Sequence, residues 1–402
     1  MAIGVLTLPI LTRLFTPEDF GGFAAYVGIF APLVAVGTLR LDMALPLPET
    51  DEEATSLVAA ALLMVGAVTA TAAVAVTLFA GDIATWAGVP ALEHLLWWVP
   101  VGVPLGGLYQ VMAMWATRKR AFKAVGRTKF EQAGGTLVVQ LVSGIAGFGP
   151  GGLIAGEVVG RGAGSWHLFR TFPRLLREAG RKSWGEVRSA TVAFSDFLTY
   201  STPSTLISLA LEQAMPFVFV VIYDVGMGGS FAVATRVLTL PAALVGRSVG
   251  QVFLKTGADA AGEGTEALRR LYRSVGQRLA QVGVAPFIAV AAFGMYGFAP
   301  VFGPEWEGAG VFVAVLAAGR YVQFVVSPLT AAAFVMRKQG AHLAWDATRF
   351  VAFALTVLAA AEFDWSPVHL AISLSALTAL SYAAHVVGVL ALLRLEPRTS
   401  YP

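Results

Sequence analysis

Long apolar runs separated by short polar turns recur along the whole chain, and run length, not a period of two or an amphipathic period, is the dominant signal. The apolar segments lie near residues 1–14, 21–40, 54–80, 91–117, 129–148 and 151–171. After a basic stretch from Phe172 to Ser189 they resume near 193–222, 229–254, 279–300, 306–336, 341–361 and 367–394. A helix needs roughly 20 apolar residues to cross a ~30 Å hydrocarbon layer. The pattern therefore predicts an all-α, polytopic integral membrane protein of about twelve transmembrane helices. The first segment falls short, at about 21 Å of helix, and is expected to be an incomplete span. It opens Met1-Ala2-Ile3-Gly4-Val5-Leu6, with neither a basic n-region nor a small-residue cleavage site, so a removable signal peptide is not expected.

Six segments flank each side of the basic stretch. This divides the chain into an N-terminal six-helix bundle over 1–171, a basic linker over 172–192 and a C-terminal six-helix bundle over 193–402. An internal repeat is expected, because Gly21-Gly22 and Arg40 superpose on Gly228-Gly229 and Arg247 at one common offset.

Composition agrees with lipid as the solvent: of 402 residues, 56% are hydrophobic and only 13% charged, where soluble domains carry about 25% charged residues. The absence of cysteine excludes disulfides, thiolate metal sites and thiol nucleophiles, and the five histidines show no metal spacing. The net charge of +3 resides in short loops between apolar runs, which argues for topology and against a nucleic-acid face.

Loop charge then sets the orientation. Arg118, Lys119, Arg120, Lys123, Arg127 and Lys129 follow the fourth segment, and Arg170, Arg174, Arg177, Arg181, Lys182 and Arg188 follow the sixth. Lys255, Arg269, Arg270, Arg273 and Arg278 follow the eighth, Arg337 and Lys338 the tenth, and Arg394 and Arg398 the last. Residues 81–90, 149–150, 223–228, 301–305 and 362–366 hold neither Lys nor Arg; Arg13 is the one exception to the alternation. Positive loops stay on the cytoplasmic side, so both termini are expected in the cytoplasm.

The first loop reads Leu8-Pro-Ile-Leu-Thr-Arg-Leu-Phe-Thr-Pro-Glu-Asp-Phe-Gly21 and is followed by Arg40-Leu-Asp-Met-Ala-Leu-Pro-Leu-Pro48 and Asp51-Glu52-Glu53-Ala54. Tyr200-Ser-Thr-Pro-Ser204, Ala234-Thr-Arg-Val-Leu-Thr-Leu-Pro241, Phe302-Gly-Pro-Glu-Trp-Glu-Gly-Ala-Gly310 and Val326-Ser-Pro-Leu329 complete the set. In order and over nearly the whole chain, these stretches resemble bacterial polysaccharide-biosynthesis and O-antigen flippases of the multidrug/oligosaccharidyl-lipid/polysaccharide exporter superfamily. The resemblance implies two bundles around a central cavity in the bacterial cytoplasmic membrane. It also implies alternating-access export of undecaprenyl-pyrophosphate-linked oligosaccharides without ATP hydrolysis, for O-antigen, capsule or exopolysaccharide, beside polymerase or assembly partners.

Such a task breaks no bond, so no cofactor is expected; it requires cations that shield a pyrophosphate from lipid. Arg suits this because its planar fork grips phosphate oxygens and keeps its charge. Arg236 and Arg320 lie deep within the eighth and tenth spans, Arg349 lies near Asp346 in the eleventh, and Arg40 and Arg247 stand near span ends. Snorkelling to the headgroups is the plain alternative for Arg40, Arg247 and Arg349, and a helix-joining ion pair for the other two. Asp196 and Glu212 on the seventh span are candidates for proton or sodium coupling, with pairing to an Arg as the alternative. Glu157 and Arg161 stand four apart, the spacing of a structural intrahelical salt bridge. Pro203, Pro216, Pro241 and Pro328 are expected to bend their helices, and Trp86, Trp97 and Trp98 to form an interfacial belt.

Neither a phosphate-cradling Gly-Lys loop nor a Ser-His-acid nucleophile context is present, so an enzyme is not expected. Two other classes stay open at this point. A cation-coupled multidrug antiporter of the same superfamily would show a carboxylate-lined cleft, and a membrane-bound transferase an acidic or His cluster at one membrane face.

Overall fold

The structure, a computed structural model, describes residues 7–336 and 339–395. Every regular element among them is helical. In chain order these are α1 (Leu8–Leu11), α2 (Pro17–Ala35), α3 (Asp51–Trp86), α4 (Leu92–Arg118), α5 (Phe122–Ile145) and α6 (Pro150–Thr171). Two short helices follow, α7 (Leu175–Ala179) and α8 (Trp184–Ala193), then α9 (Thr202–Gln213) and α10 (Met215–Ile222). The longer helices that remain are α11 (Val225–Glu263), α12 (Thr265–Tyr296), α13 (Pro304–Ala333), α14 (Gln339–Glu362) and α15 (Pro367–Leu395), with one helical turn, Phe298–Phe302, between α12 and α13. Among the described residues six helices pass a strict test of length and apolarity for crossing a membrane: α3, α4, α12, α13, α15 and the Ala344–Glu362 part of α14. The expected polytopic helical class holds.

Local sequence fixes the helix ends. Thr16 caps α2 in a reciprocal box: its hydroxyl accepts from the Asp19 amide at 3.2 Å while the Asp19 carboxylate accepts from the Thr16 amide at 2.9 Å, with Pro17 in the first turn. Thr50 caps α3 by accepting from the Glu53 amide. Gly149, at φ +55°, turns the chain into Pro150 at the start of α6. The seventh apolar segment is not one continuous helix. It opens in a π-turn at Phe197–Ser201, and Pro203 and Pro216 stand in the first turns of α9 and α10, where their missing N–H groups cost no helical bond. Pro328 sits in a 3₁₀ turn, Ser327–Thr330, inside α13.

The chain forms two compact units, one over Leu6–Gly229 and one from Ser230 onward. The first unit takes in the seventh segment, because α9 and α10 pack on α2. It also takes in the basic linker: Leu175, Ala179 and Val187 are buried with Leu57, Ala60, Met112, Trp115 and Leu168 in one core where α3 begins and α4 and α6 end. Apolar burial thus docks a stretch whose charges alone read as a tether. The second unit is held by α13, which packs along α12 and α15, and by α14 against α15.

In the first unit the most extensive helix contact is α5 on α6. Gly152, Gly156, Gly160 and Gly164 form one stripe on α6, and Ser143, Gln140, Thr136 and Gln132 of α5 lie directly over it. A β-carbon on Gly160 would stand 2.0 Å from Thr136 Oγ1 and 2.8 Å from the Gln132 carbonyl, so the approach exists only because the side chains are missing. Gln140 Nε2 donates to the Leu153 carbonyl at 3.1 Å across the same seam.

Candidate functional site

The ends of successive helices show that the spans of the first unit alternate in direction. Where α2 and α4 end, Arg118 Nη1 donates to the carbonyls of Pro48 (2.6 Å) and Leu45 (3.3 Å), Arg118 Nε pairs with Asp51 at 3.2 Å, and Lys119 joins the same carboxylate. At the opposite ends, Gly22 meets Pro150, and Leu95 reaches both Gly22 and Gly151. Spans two, four and six therefore run the same way, as the loop charges require.

Charged groups lie well inside helices of each unit. In the second unit, Arg320 stands near the middle of α13, about 24 Å from its start at ~1.5 Å per residue. Its neighbours in sequence fix the direction it takes. Gly319 lies flat against α15, where its amide donates to Ser375 Oγ at 3.1 Å and Ser375 Oγ donates to the Val315 carbonyl at 2.9 Å. Tyr321 turns to α12, with its hydroxyl donating to the Ala280 carbonyl at 3.1 Å and its ring edge-on to Phe287. Arg320 falls between these two anchored faces, half-buried, with Nη1 donating to Gln323 Oε1 at 2.8 Å. Arg236, on α11, is also half-buried.

Arg349 is held differently. Its guanidinium lies over the rings of Trp345 (4.7 Å) and Tyr382 (5.3 Å), 3.7 Å from Asp346, with the side chain 11% exposed. Trp345 Nε1 donates to the Ser381 carbonyl at 2.9 Å, so this aromatic box ties α14 to α15. Arg40 sits at the turn that ends the second span, with φ +62°, beside Met43. Asp196, expected within the seventh span, is exposed and opens the π-turn after α8. The side chains of Glu212 and Arg247 lie outside the described residues.

A further charged pair is one the sequence assigned to structure alone. Arg161 and Glu157 are paired on α6, as their spacing predicts: Nε and Nη2 both donate to Glu157 Oε1, at 3.1 and 2.7 Å. The guanidinium also lies 5.1 Å over the ring of Phe30, on which Tyr26 stacks at 5.0 Å. Phe30 reaches this place because Gly102 on α4 leaves room for it: a β-carbon there would come within 2.6 Å of the ring. Only the spacing of Glu157 and Arg161 was visible in the sequence; their partner helix was not.

Charged side chains thus stand within bundles of apolar helices, held by ion pairs, aromatic rings and close glycine contacts. The fold is one found in solved structures. A multidrug resistance transporter of the MATE family, in the MOP superfamily, solved inward-facing, matches with a TM-score of 0.73 over 97% of this chain and 94% of that one, at 12% identity. The lipid II flippase MurJ, in an inward closed conformation, matches with 0.74 over 97% and 90%, at 13% identity. The sequence profile of the polysaccharide biosynthesis protein family matches residues 10–310, and the chain belongs to that family, as its loop stretches implied. The succinoglycan biosynthesis transport protein ExoT of Rhizobium meliloti (strain 1021) is 26% identical over 336 residues, which are 78% of this chain. The chain spans 61% of the length of that relative.

Proposed function

We propose that this protein is a flippase that carries undecaprenyl-pyrophosphate-linked oligosaccharides across the cytoplasmic membrane by alternating access, for surface polysaccharide assembly. The observation that carries this reading is Arg320, a cation locked near the middle of a long apolar helix by Gly319 on one side and Tyr321 on the other. A permanent positive charge there lowers the cost of bringing a pyrophosphate through hydrocarbon, and its fork geometry suits phosphate oxygens. Membership of the polysaccharide biosynthesis family supports a glycan cargo. A multidrug antiporter would instead concentrate carboxylates at that depth.

On this reading Arg236 and Arg320 contact the pyrophosphate, Arg40 and Arg247 receive it at the basic ends of their spans, and Arg349 braces the helices beside it. Export is tested in proteoliposomes with a fluorescent pyrophosphate-linked glycan. Arg236→Ala and Arg320→Ala each slow transfer by about tenfold or more, the loss expected for one charge-assisted contact. Wild-type rates in both variants refute the cationic site. In the same vesicles a proton or sodium gradient accelerates transfer, and Asp196→Asn or Glu212→Gln removes that acceleration.

A further inference from the structure

Arg161 lies about 16 Å from either end of α6 at ~1.5 Å per residue, at mid-span like Arg320. Its pairing has three features that a structural role does not account for. The bond to Glu157 runs within one helix, so it joins no two elements. Both donating nitrogens converge on a single carboxylate oxygen, and among the described residues no other acceptor engages the fork of five donors. Both side chains stay about 30% exposed, unlike the closed box around Arg349.

Tyr26 supplies an independent sign. It is fully buried, yet its hydroxyl has no hydrogen-bond partner among the described residues, a condition native interiors tolerate only with a reason. Its ring stacks on the same Phe30 that lies under the guanidinium, and its hydroxyl is within electrostatic reach of both Arg161 and Glu157. An unpaired hydroxyl donor and a partly used guanidinium, gathered on one aromatic ring, make a receptor for a group with several acceptor oxygens.

We propose that Arg161, Tyr26 and Phe30 form a second anion station, which takes a phosphate group of the lipid-linked cargo in exchange for Glu157, the resident counter-ion. The station rests on the pyrophosphate-lipid reading above. Exchange keeps Arg161 neutralised in both states: by Glu157 when the station is empty, and by phosphate when cargo is present. The phosphate offers the Tyr26 hydroxyl the acceptor that the empty site withholds.

Binding of undecaprenyl pyrophosphate to the purified full chain in detergent tests this, with inorganic pyrophosphate as competitor. Glu157→Gln removes the competing charge and keeps the shape, so affinity rises about tenfold. Arg161→Gln lowers affinity about tenfold, and Tyr26→Phe lowers it a few-fold without lowering the melting temperature, since the hydroxyl it deletes has no partner to lose. If Glu157→Gln and Arg161→Gln depress the melting temperature and leave affinity unchanged, the pair is structural and the station is refuted. Should Arg320→Gln weaken binding while Arg161→Gln does not, the station fails and the flippase reading stands. Absence of binding by wild type and Glu157→Gln alike overturns both. Displacement of the lipid by inorganic pyrophosphate at equal concentration overturns the assignment to a lipid headgroup.

Discussion

Gly160→Ala isolates the crossing that sets the face of α6 carrying Arg161. The added methyl would lie 2.0 Å from Thr136 Oγ1 and 2.8 Å from the Gln132 carbonyl, whereas ordinary carbon–oxygen contact begins near 3.4 Å. Thr136 can turn its hydroxyl away, but the carbonyl belongs to a helix backbone, so α5 and α6 must part by about 0.6 Å at that point. Overpacking of this kind costs ~1–3 kcal/mol, offset by up to ~1 kcal/mol from replacing a helical glycine. A net loss of about 1–2 kcal/mol is expected. Gly134 on α5 is the control, because a β-carbon there meets nothing within 4 Å; Gly134→Ala should gain up to ~1 kcal/mol. The two substitutions are chemically identical and should move stability in opposite directions, measured as equilibrium unfolding of the detergent-solubilised chain in increasing sodium dodecyl sulfate. Thr136→Ala added to Gly160→Ala removes the shorter clash and leaves the carbonyl, so it should recover about half the loss and show a coupling of roughly 1 kcal/mol. Equal shifts in Gly160→Ala and Gly134→Ala would refute the claim that missing side chains bring these helices together.

Three further outcomes follow from particular contacts. Arg118→Ala strips the carbonyls of Leu45 and Pro48 of a largely buried donor (11% exposed) and should cost ~2–3 kcal/mol, whereas Asp51→Asn, at a carboxylate 57% exposed, should cost under ~1 kcal/mol; limited proteolysis between residues 36 and 50 reports both. Gly319→Val would drive a side chain into the Ser375 backbone, 2.5 Å from its carbonyl oxygen, and should slow transport as Arg320→Ala does without touching the charge, as read in the proteoliposome assay. In the linker, hydrogen bonds from Ser183, side chain then backbone, and from Lys182 hold the Glu186 carboxyl down to about 2. Because the folded value lies below the unfolded one, the stabilisation from this cap is complete above pH ~4.5 and fades as pH falls toward 2. Carboxyl carbon shifts of Glu186 followed by NMR should therefore show no titration near pH 4, and a midpoint at 4 or above would remove the cap from the account.

The helical spans were legible because each is dictated by one-dimensional apolar length, a property that survives any arrangement of neighbours. Helix ends were legible where a local cap writes them, as at Thr16-Pro17-Glu18-Asp19. What packs on what was not. Arg161 announced a partner on its own helix because i,i+4 spacing is local, but Phe30 and Tyr26 lie over a hundred residues earlier and carry no sign of it. The linker misled for the same reason: its charges are conspicuous, while Leu175, Ala179 and Val187, which dock it, are three apolar residues among many.

The glycine pairs have a local cause of their own. Gly21-Gly22 and Gly228-Gly229 were aligned as equivalent positions of a repeat, which requires only that each half use glycine at the same place. In the first unit one glycine of each pair, Gly21 and Gly229, meets the other. A β-carbon on Gly21 would fall 1.8 Å from the Val225 carbonyl oxygen, and one on Gly229 would fall 1.9 Å from that of Pro17 and 2.7 Å from the Gly21 amide. Each glycine thus makes room for the backbone opposite, so the start of α2 and the start of α11 cross main chain to main chain. Glycine at positions 21 and 229 is then a demand of this one crossing.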